Sequence, residues 1–494
     1  YWQNNHSYKT PSFWNRAAYH TGNMEAYKLF NNEIKTPAAK QKAEIWMNYS
    51  TAWADYNKWS GATEKDPSKW QYKQYGEDQQ HVLFGDWQIC FQTFIDLYNI
   101  APAKRRVARA KEVMGYEADS KVNDYWWWAD ALYMVMPVLT KMYKLTGDTK
   151  YLDKLFDNIQ YSDSVMLDKE TGLYFRDGRY VYPKHKADNG GKDFWARGDG
   201  WVLAGLAKVL QDMPKSYQHY DFFVKKYQRL AHAVAACQQP AGYWTRSMLD
   251  KDMAPGPETS GTAFFTFGLL WGINNGLLSE TDYLPTVSKA WTYLSHTALQ
   301  ADGSVGYVQP VGDRAIPGQM INKSSQADFG VGAFLLAACE YYRWLSAKES
   351  PSKTVSLIIG NPGSDTRTQI VEVDAATVRT ALGIGKNDPF IVKNAAGQEL
   401  GIQLTYDGKL LIDAGVLPGS TWTVYASKGY PKTTKPQVQG ALYKIRKDDI
   451  AWENDRCAYR VYGPALQRTG EKSFGIDVWV KDTPELILDH RYYK

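Results

Sequence analysis

The sequence predicts a mainly α chain, a closed ring of helix pairs over residues 1–346, followed by a smaller β-rich, sandwich-like domain over residues 354–494. Three observations lead there. Apolar residues recur at three- and four-residue spacing from the start of the chain to about residue 346. A polar segment containing Pro351 follows, at residues 347–353, and reads as a linker. Beyond it the pattern shifts to short β-branched runs bounded by Gly, Pro, Asn and Asp.

The helical stretches are 38–59, 82–98, 127–143, 151–167, 201–210, 217–237, 259–275, 286–299 and 330–345. Short breaks such as Thr146-Gly147-Asp148 and Gln239-Pro240-Ala241-Gly242 separate them. About a dozen helices in consecutive hairpins favour a toroid whose inner helices bury more of their surface. The stretches 127–143 and 330–345 are apolar on most faces and suit inner positions. In the second domain 354–359, 369–373, 410–413, 421–426 and 475–480 read as strands. No closing element follows the last, so this domain is expected to be incomplete in the chain.

Composition narrows the function class. A chain of 494 residues exceeds one ordinary core. A net charge of +5, spread along the sequence with no basic stripe, argues against nucleic-acid binding. No run of apolar residues is long enough to span a membrane. The four cysteines lie far apart: Cys90, Cys237 and Cys339 read as small buried hydrophobes, with no metal spacing and no disulfide framework. The 19 Trp and 35 Tyr are an excess, and their ring faces stack on the C–H faces of sugars as readily as they fill cores.

Three segments could carry chemistry. In Trp126-Trp127-Trp128-Ala129-Asp130, an acid sits in an aromatic helix start, where burial is costly unless the group is bonded or functional. The competing reading is a first-turn Asp at the positive helix end. The second segment is the polar loop from Lys184 through His185, Asp188 and Asp193 to Trp195-Ala196-Arg197; a plain solvated loop competes with it. The third is Trp244-Thr245-Arg246, whose alternation sets a ring and a guanidinium on one face of an extended segment, suited to a uronate. Arg246 could instead be a structural partner of Glu258, and Glu258-Thr259-Ser260 reads mainly as a helix start. No phosphate-binding glycine loop, His-Glu-x-x-His or Gly-x-Ser-x-Gly pattern occurs, which leaves carboxylate chemistry among aromatics.

The segments Trp128-Ala129-Asp130-Ala131-Leu132-Tyr133-Met134, Phe194-Trp195-Ala196-Arg197-Gly198-Asp199-Gly200-Trp201, Pro257-Glu258-Thr259-Ser260-Gly261 and Gly306-Tyr307-Val308-Gln309-Pro310 occur in this order. Through them the chain resembles glycoside hydrolase family 105, the unsaturated rhamnogalacturonyl hydrolases, and more distantly the unsaturated glucuronyl hydrolases. The resemblance implies an (α/α)6 barrel as the catalytic domain, with no metal and no cofactor. It implies removal of a terminal 4,5-unsaturated uronic acid from oligosaccharides left by lyases. A carboxylic acid protonates C4 of the vinyl ether, water adds at C5, and the hemiketal opens to release the aglycone. Carried over, Asp130 matches the first active-site Asp, and Asp188 the acid/base, with Asp193 as fallback. Trp244 and Arg246 match the substrate contacts, Trp128 and Trp195 are further aromatic contacts, and His185 lies near the family's active-site His. The segment from Asp448 to Trp479 resembles the start of a DUF4861 domain, seen in polysaccharide-degrading bacteria.

The resemblance also implies a periplasmic or secreted setting. Its partner is an oligosaccharide, and the oligomeric state is left open. Alternatives are a hydrolase of saturated glycosides on the same toroid, a non-catalytic carbohydrate-binding protein, and a sugar epimerase, which would want paired catalytic His residues that the sequence does not offer.

Overall fold

The computed structural model describes residues 1–34, 36–348, 353–386, 388–431, 436–471 and 473–493. It divides into two compact units, Tyr1–Lys348 and Glu349–Lys494. Of the expected linker, Ala347 and Lys348 belong to the preceding helix, and residues 349–352 lie outside the described residues.

The first unit is an (α/α)6 barrel. Its principal helices are α1 (Trp14–Lys28), α2 (Pro37–Tyr56), α3 (Cys90–Ile100), α4 (Ala108–Asp119), α5 (Ala129–Met134), α6 (Met136–Thr146), α7 (Lys150–Met166), α8 (Ala196–Asp212), α9 (Tyr220–Ala236), α10 (Thr259–Asn274), α11 (Glu280–Tyr293) and α12 (Asp328–Lys348). The inner ring runs α1, α3, the α5–α6 pair, α8, α10 and α12, and closes where α12 packs on α1. The remaining helices lie outside, each packed on an inner neighbour.

Residue type sorts the two layers. Every residue of α8 from Ala196 to Leu210 is buried, and so is α10 from Thr259 to Gly272. Outer α9 buries only the stripe Phe223, Tyr227, Leu230, Ala231 and Val234, at helical spacing. Each such side chain withdrawn from water contributes roughly 1.5–3 kcal/mol. Ring closure needs close backbone approach: a Cβ on Gly22 of α1 would lie 2.2 Å from the carbonyl oxygen of Gly332 in α12. No helix among the described residues is long and apolar enough to cross a membrane.

The second unit contains ten strands among its described residues: β1 (Val355–Asn361), β2 (Arg367–Asp374), β3 (Phe390–Lys393), β4 (Ile402–Leu404), β5 (Lys409–Val416), β6 (Ser420–Lys428), β7 (Gln439–Tyr443), β8 (Asp449–Glu453), β9 (Cys457–Val461) and β10 (Ile476–Val480). They form antiparallel sheets ordered β1-β6-β3, β2-β5-β4 and β10-β9-β8-β7. The first two share a core that includes Val392, Leu410, Ile412 and Val424. The alternation in β5, where Leu410, Ile412, Ala414 and Val416 are buried, is the period-two pattern of a half-covered sheet.

Candidate active site

A cavity of about 510 Å³ opens at one end of the barrel. Its wall combines Trp14, Trp127 and Trp128 with the acids Asp86, Asp130 and Asp313 and the cations Lys73, Arg176 and Arg179.

Local sequence explains how the two deep acids arrive there. Trp128 is extended and pairs across an antiparallel bridge with Asp177, and the Ala129 amide donates to the Arg176 carbonyl at 2.8 Å. The helix begins immediately afterwards, so Asp130 occupies its first turn beside Arg176. Asp86 follows the same local plan: Phe84 is extended, and the short helix Gly85–Gln88 starts after it. The Phe84 ring stacks on Trp128, with centroids 4.5 Å apart. Gly85 permits this approach, since a Cβ there would meet Val135 at 3.1 Å and Trp128 at 3.4 Å.

Both acids are buried, Asp86 at 3% exposure and Asp130 at 7%. Burial, reinforced by the nearby Asp130 charge, pushes the Asp86 carboxyl well above the ordinary carboxylate range. Burial also raises Asp130, against the opposing charges of Arg176 and Arg197. The Asp130 Oδ2 lies 3.3 Å from Arg176 Nε. Asp86 Oδ1, Asp130 Oδ2 and Arg176 Nε are all buried without a hydrogen-bond partner. Asp130 Oδ2 and Arg176 Nε face one another as an ion pair without a well-aligned hydrogen bond, so Asp86 Oδ1 is the atom left for a polar ligand to satisfy. Arg176 is fixed from behind by Asp177 at 2.7 Å, and Asp177 also holds Arg179.

Asp130 and Trp128 are the sequence-derived candidates that line this cavity; the structure places the others outside its wall. Asp188 is exposed and absent from the cavity wall, because its loop folds back through the Ala187 amide to the Gly191 carbonyl and is tied to Asp250. Asp193 is buried but engaged, bonded to His185 Nε2 at 2.8 Å and Ser247 Oγ at 3.2 Å. His185 is thereby a loop-fastening partner, and its ring also meets that of Tyr180.

Trp244 is fully buried, donates to the Val234 carbonyl and packs on Phe265, so its ring belongs to the core. Arg246 is 3% exposed and donates to the carbonyls of Gln319 and Pro255. Neither residue reaches the cavity. Trp195 donates to Gln309 Oε1 and lies against the guanidinium of Arg197, which donates to the carbonyls of Gln309 and Pro310. These bonds fix the extended segment leading into Val311–Asp313 of the cavity wall rather than presenting Trp195 to a ligand. Glu258 caps α10 by accepting from the Ser260 and Gly261 amides, the structural reading of that stretch.

Asp86, Arg176, Lys73 and Arg179 escaped the sequence reading. Asp86 carried a usable signal: Phe84-Gly85-Asp86 and Trp128-Ala129-Asp130 are both an aromatic residue, a small residue and an Asp opening a helix. Among the described residues no group of three His, Cys, Asp or Glu side chains is placed to hold a metal ion.

Comparison with known proteins agrees with this architecture. The model of Glycosyl Hydrolase Family 88 matches residues 2–345, and that of DUF4861, a domain of unknown function, matches 359–494. An "Unsaturated 3S-rhamnoglycuronyl hydrolase" from Formosa agariphila is 33% identical over 334 residues, 67% of this chain and 84% of that protein. A family 88 glycosyl hydrolase structure from Bacteroides vulgatus is 53% identical, covering 69% of this chain and 95% of that one, with TM-score 0.66. A structure described as a "Polysaccharide Lyase" is 58% identical, covers 68% of this chain and 92% of that one, and has TM-score 0.65. A family 105 hydrolase from C. acetobutylicum shares the fold, at 19% identity and TM-score 0.53, over 69% of this chain and 96% of that one. With its barrel matched almost from end to end, the chain belongs to glycosyl hydrolase family 88 and is a glycosidase.

Proposed function

We propose that the chain removes a 4,5-unsaturated uronic acid from the non-reducing end of lyase-generated oligosaccharides by hydrating the vinyl ether. The observation that carries this reading is the pair of buried aspartates, Asp86 with an unpaired oxygen and Asp130 beside the Arg176 guanidinium, sharing one tryptophan-walled cavity. The names of the unsaturated-uronide hydrolases among its relatives support it.

Two neighbouring buried carboxyls cannot easily both ionise, so the pair holds a proton more tightly than an isolated aspartate would. Asp130 is the acid/base group in this reading. It gives its proton to C4 while the double-bond electrons move to form that C–H bond. The resulting carboxylate is stabilised by Arg176, 3.3 Å away, and takes a proton from the water adding to C5. The product is a hemiketal, which opens and releases the aglycone. Asp86 acts as the neighbour that keeps the proton on the pair. The tryptophans supply faces for the sugar rings. A periplasmic or extracellular setting, where lyases release such fragments, fits this role.

The test is a panel of lyase-generated oligosaccharides followed at the unsaturated-uronate absorbance band. Loss of absorbance supports the reading. Unchanged absorbance with release of a saturated sugar would replace it by ordinary glycoside hydrolysis. A rise in absorbance on an intact polysaccharide would replace it by lyase chemistry.

A further inference from the structure

Exposure divides the cavity into a floor and a rim. Asp86 and Asp130 are buried and the Arg176 side chain is 12% exposed, whereas Lys73 and Val311 are exposed and the Arg179 side chain is 63% exposed. On the reading above, the terminal uronate must bring C4 and C5 to Asp130 on the floor. The sugar it leaves behind then lies at the rim.

The charges on the wall are not equally committed. Arg176 is engaged by Asp130 and Asp177. Arg179 is engaged by Asp177 and Asp313, and Asp313 also accepts from the Tyr180 hydroxyl at 2.7 Å. Lys73 makes no ion pair and no hydrogen bond among the described residues; its ammonium lies 5.9 Å from the centroid of the Tyr72 ring. Arg179 and Asp313 offset one another, and Glu77 at the same edge is bonded by the Tyr75 hydroxyl, so among the described residues lining the cavity Lys73 is the cation without an acid partner.

The base of this side chain is fixed. The Tyr72 carbonyl accepts from Trp127 Nε1 at 2.7 Å, and the Tyr72 hydroxyl bonds Asp124 at 2.7 Å. Trp127 is itself part of the cavity wall. An ammonium on a pinned stem, at the mouth of a cavity whose other cations are already paired, is available to an anionic group on the ligand.

We propose that Lys73 is a specificity-determining residue that pairs with an anionic substituent, a sulfate ester or a carboxylate, on the sugar next to the unsaturated uronate. This rests on the proposed function. The preferred substrates are therefore fragments of polyanionic polysaccharides in which the leaving sugar is charged as well as the uronic acid.

The experiment compares three unsaturated uronyl disaccharides whose leaving sugar is sulfated, carboxylated or neutral. The wild-type chain, Lys73→Ala and Lys73→Arg are assayed by loss of the uronate chromophore. Wild type should favour a charged leaving sugar. The charged-to-neutral ratio of kcat/KM should fall about tenfold in Lys73→Ala, mostly through KM, and largely recover in Lys73→Arg. Whichever charged arm loses its advantage identifies the substituent. A wild-type ratio near one, or a ratio unchanged in Lys73→Ala, would overturn the proposal. Failure of wild type on all three disaccharides would instead remove the hydrolase reading, and this proposal with it.

Discussion

Asp86 and Asp130 combine two costs that water would relieve: burial of a carboxyl, and proximity to a second one. Arg176 offsets part of this for Asp130, which leaves a proton held more tightly than an isolated aspartate would hold it. The sign for activity follows. In the proposed mechanism the protonated pair is the donor, so kcat/KM should fall as pH rises through its raised proton affinity. Asp86→Asn removes one of the two carboxyls that share the proton, so the alkaline limb of the kcat/KM profile should move to lower pH. A limb that stays where it is would mean that Asp86 does not couple to the donor.

Asp188 gives the contrasting case. It is exposed and outside the cavity wall, so Asp188→Asn should keep turnover within about twofold of wild type, far from the 10²–10⁴-fold effect of removing an acid/base. Steady-state kinetics on the one variant decides this.

Among the elements, the sequence was most legible where pattern and burial coincide. Inner α10 is apolar almost throughout and outer α9 carries a single stripe, so pattern and layer agree there; inner α8 is equally buried but holds Arg197, Asp199 and Lys208, which pattern alone does not place inside. The strands of the second unit were similarly visible, as in the alternation of β5. Asp130 was legible because an acid in an aromatic helix start is expensive. Its partner was not, because the approach of Phe84 to Trp128 joins segments distant in sequence. The Trp244-Thr245-Arg246 pattern misled for a physical reason. Alternation fixes a shared face but not what that face meets, and here both side chains are buried against backbone carbonyls.

Arg246 is accordingly a strut between the segments carrying Pro255 and Gln319. Arg246→Ala strands those carbonyls and should destabilise the barrel by about 2–4 kcal/mol. The melting temperature should drop while the KM of the folded fraction stays put. A raised KM at unchanged melting temperature would return Arg246 to the substrate.

At the scale of the whole molecule, pH acts on stability through buried acids that substrate never meets. Glu117, in outer α4, is fully buried and bonded by Gln88 Nε2 and Asn158 Nδ2. Burial, partly offset by these bonds and by Lys154, pushes its carboxyl up to about 7 from an unfolded value of 4.5. Because the folded value is the higher one, no penalty exists below the unfolded value. Stability is then lost as pH rises through the interval to the folded one, by about 3 kcal/mol from this group. Gln88 Oε1 and Asn158 Oδ1 lack partners, so an amide at position 117 can be accommodated by turning either neighbour. Glu117→Gln should therefore raise the melting temperature at pH 8 and flatten its fall between pH 5 and 8. An unchanged slope would mean that the group ionises without cost.

Hydration of a vinyl ether by a protonated aspartate pair, as proposed, and direct displacement of the glycosidic bond are told apart by following, in one reaction, the loss of the C4=C5 absorbance and the appearance of new reducing ends. An unsaturated uronyl disaccharide serves as substrate for wild type and Asp130→Asn. Wild type should lose one chromophore for each aglycone released. In Asp130→Asn both signals should slow together by about 10²–10⁴-fold. Reducing ends that appear while the absorbance persists, or a variant that keeps the wild-type rate, would contradict hydration by this pair.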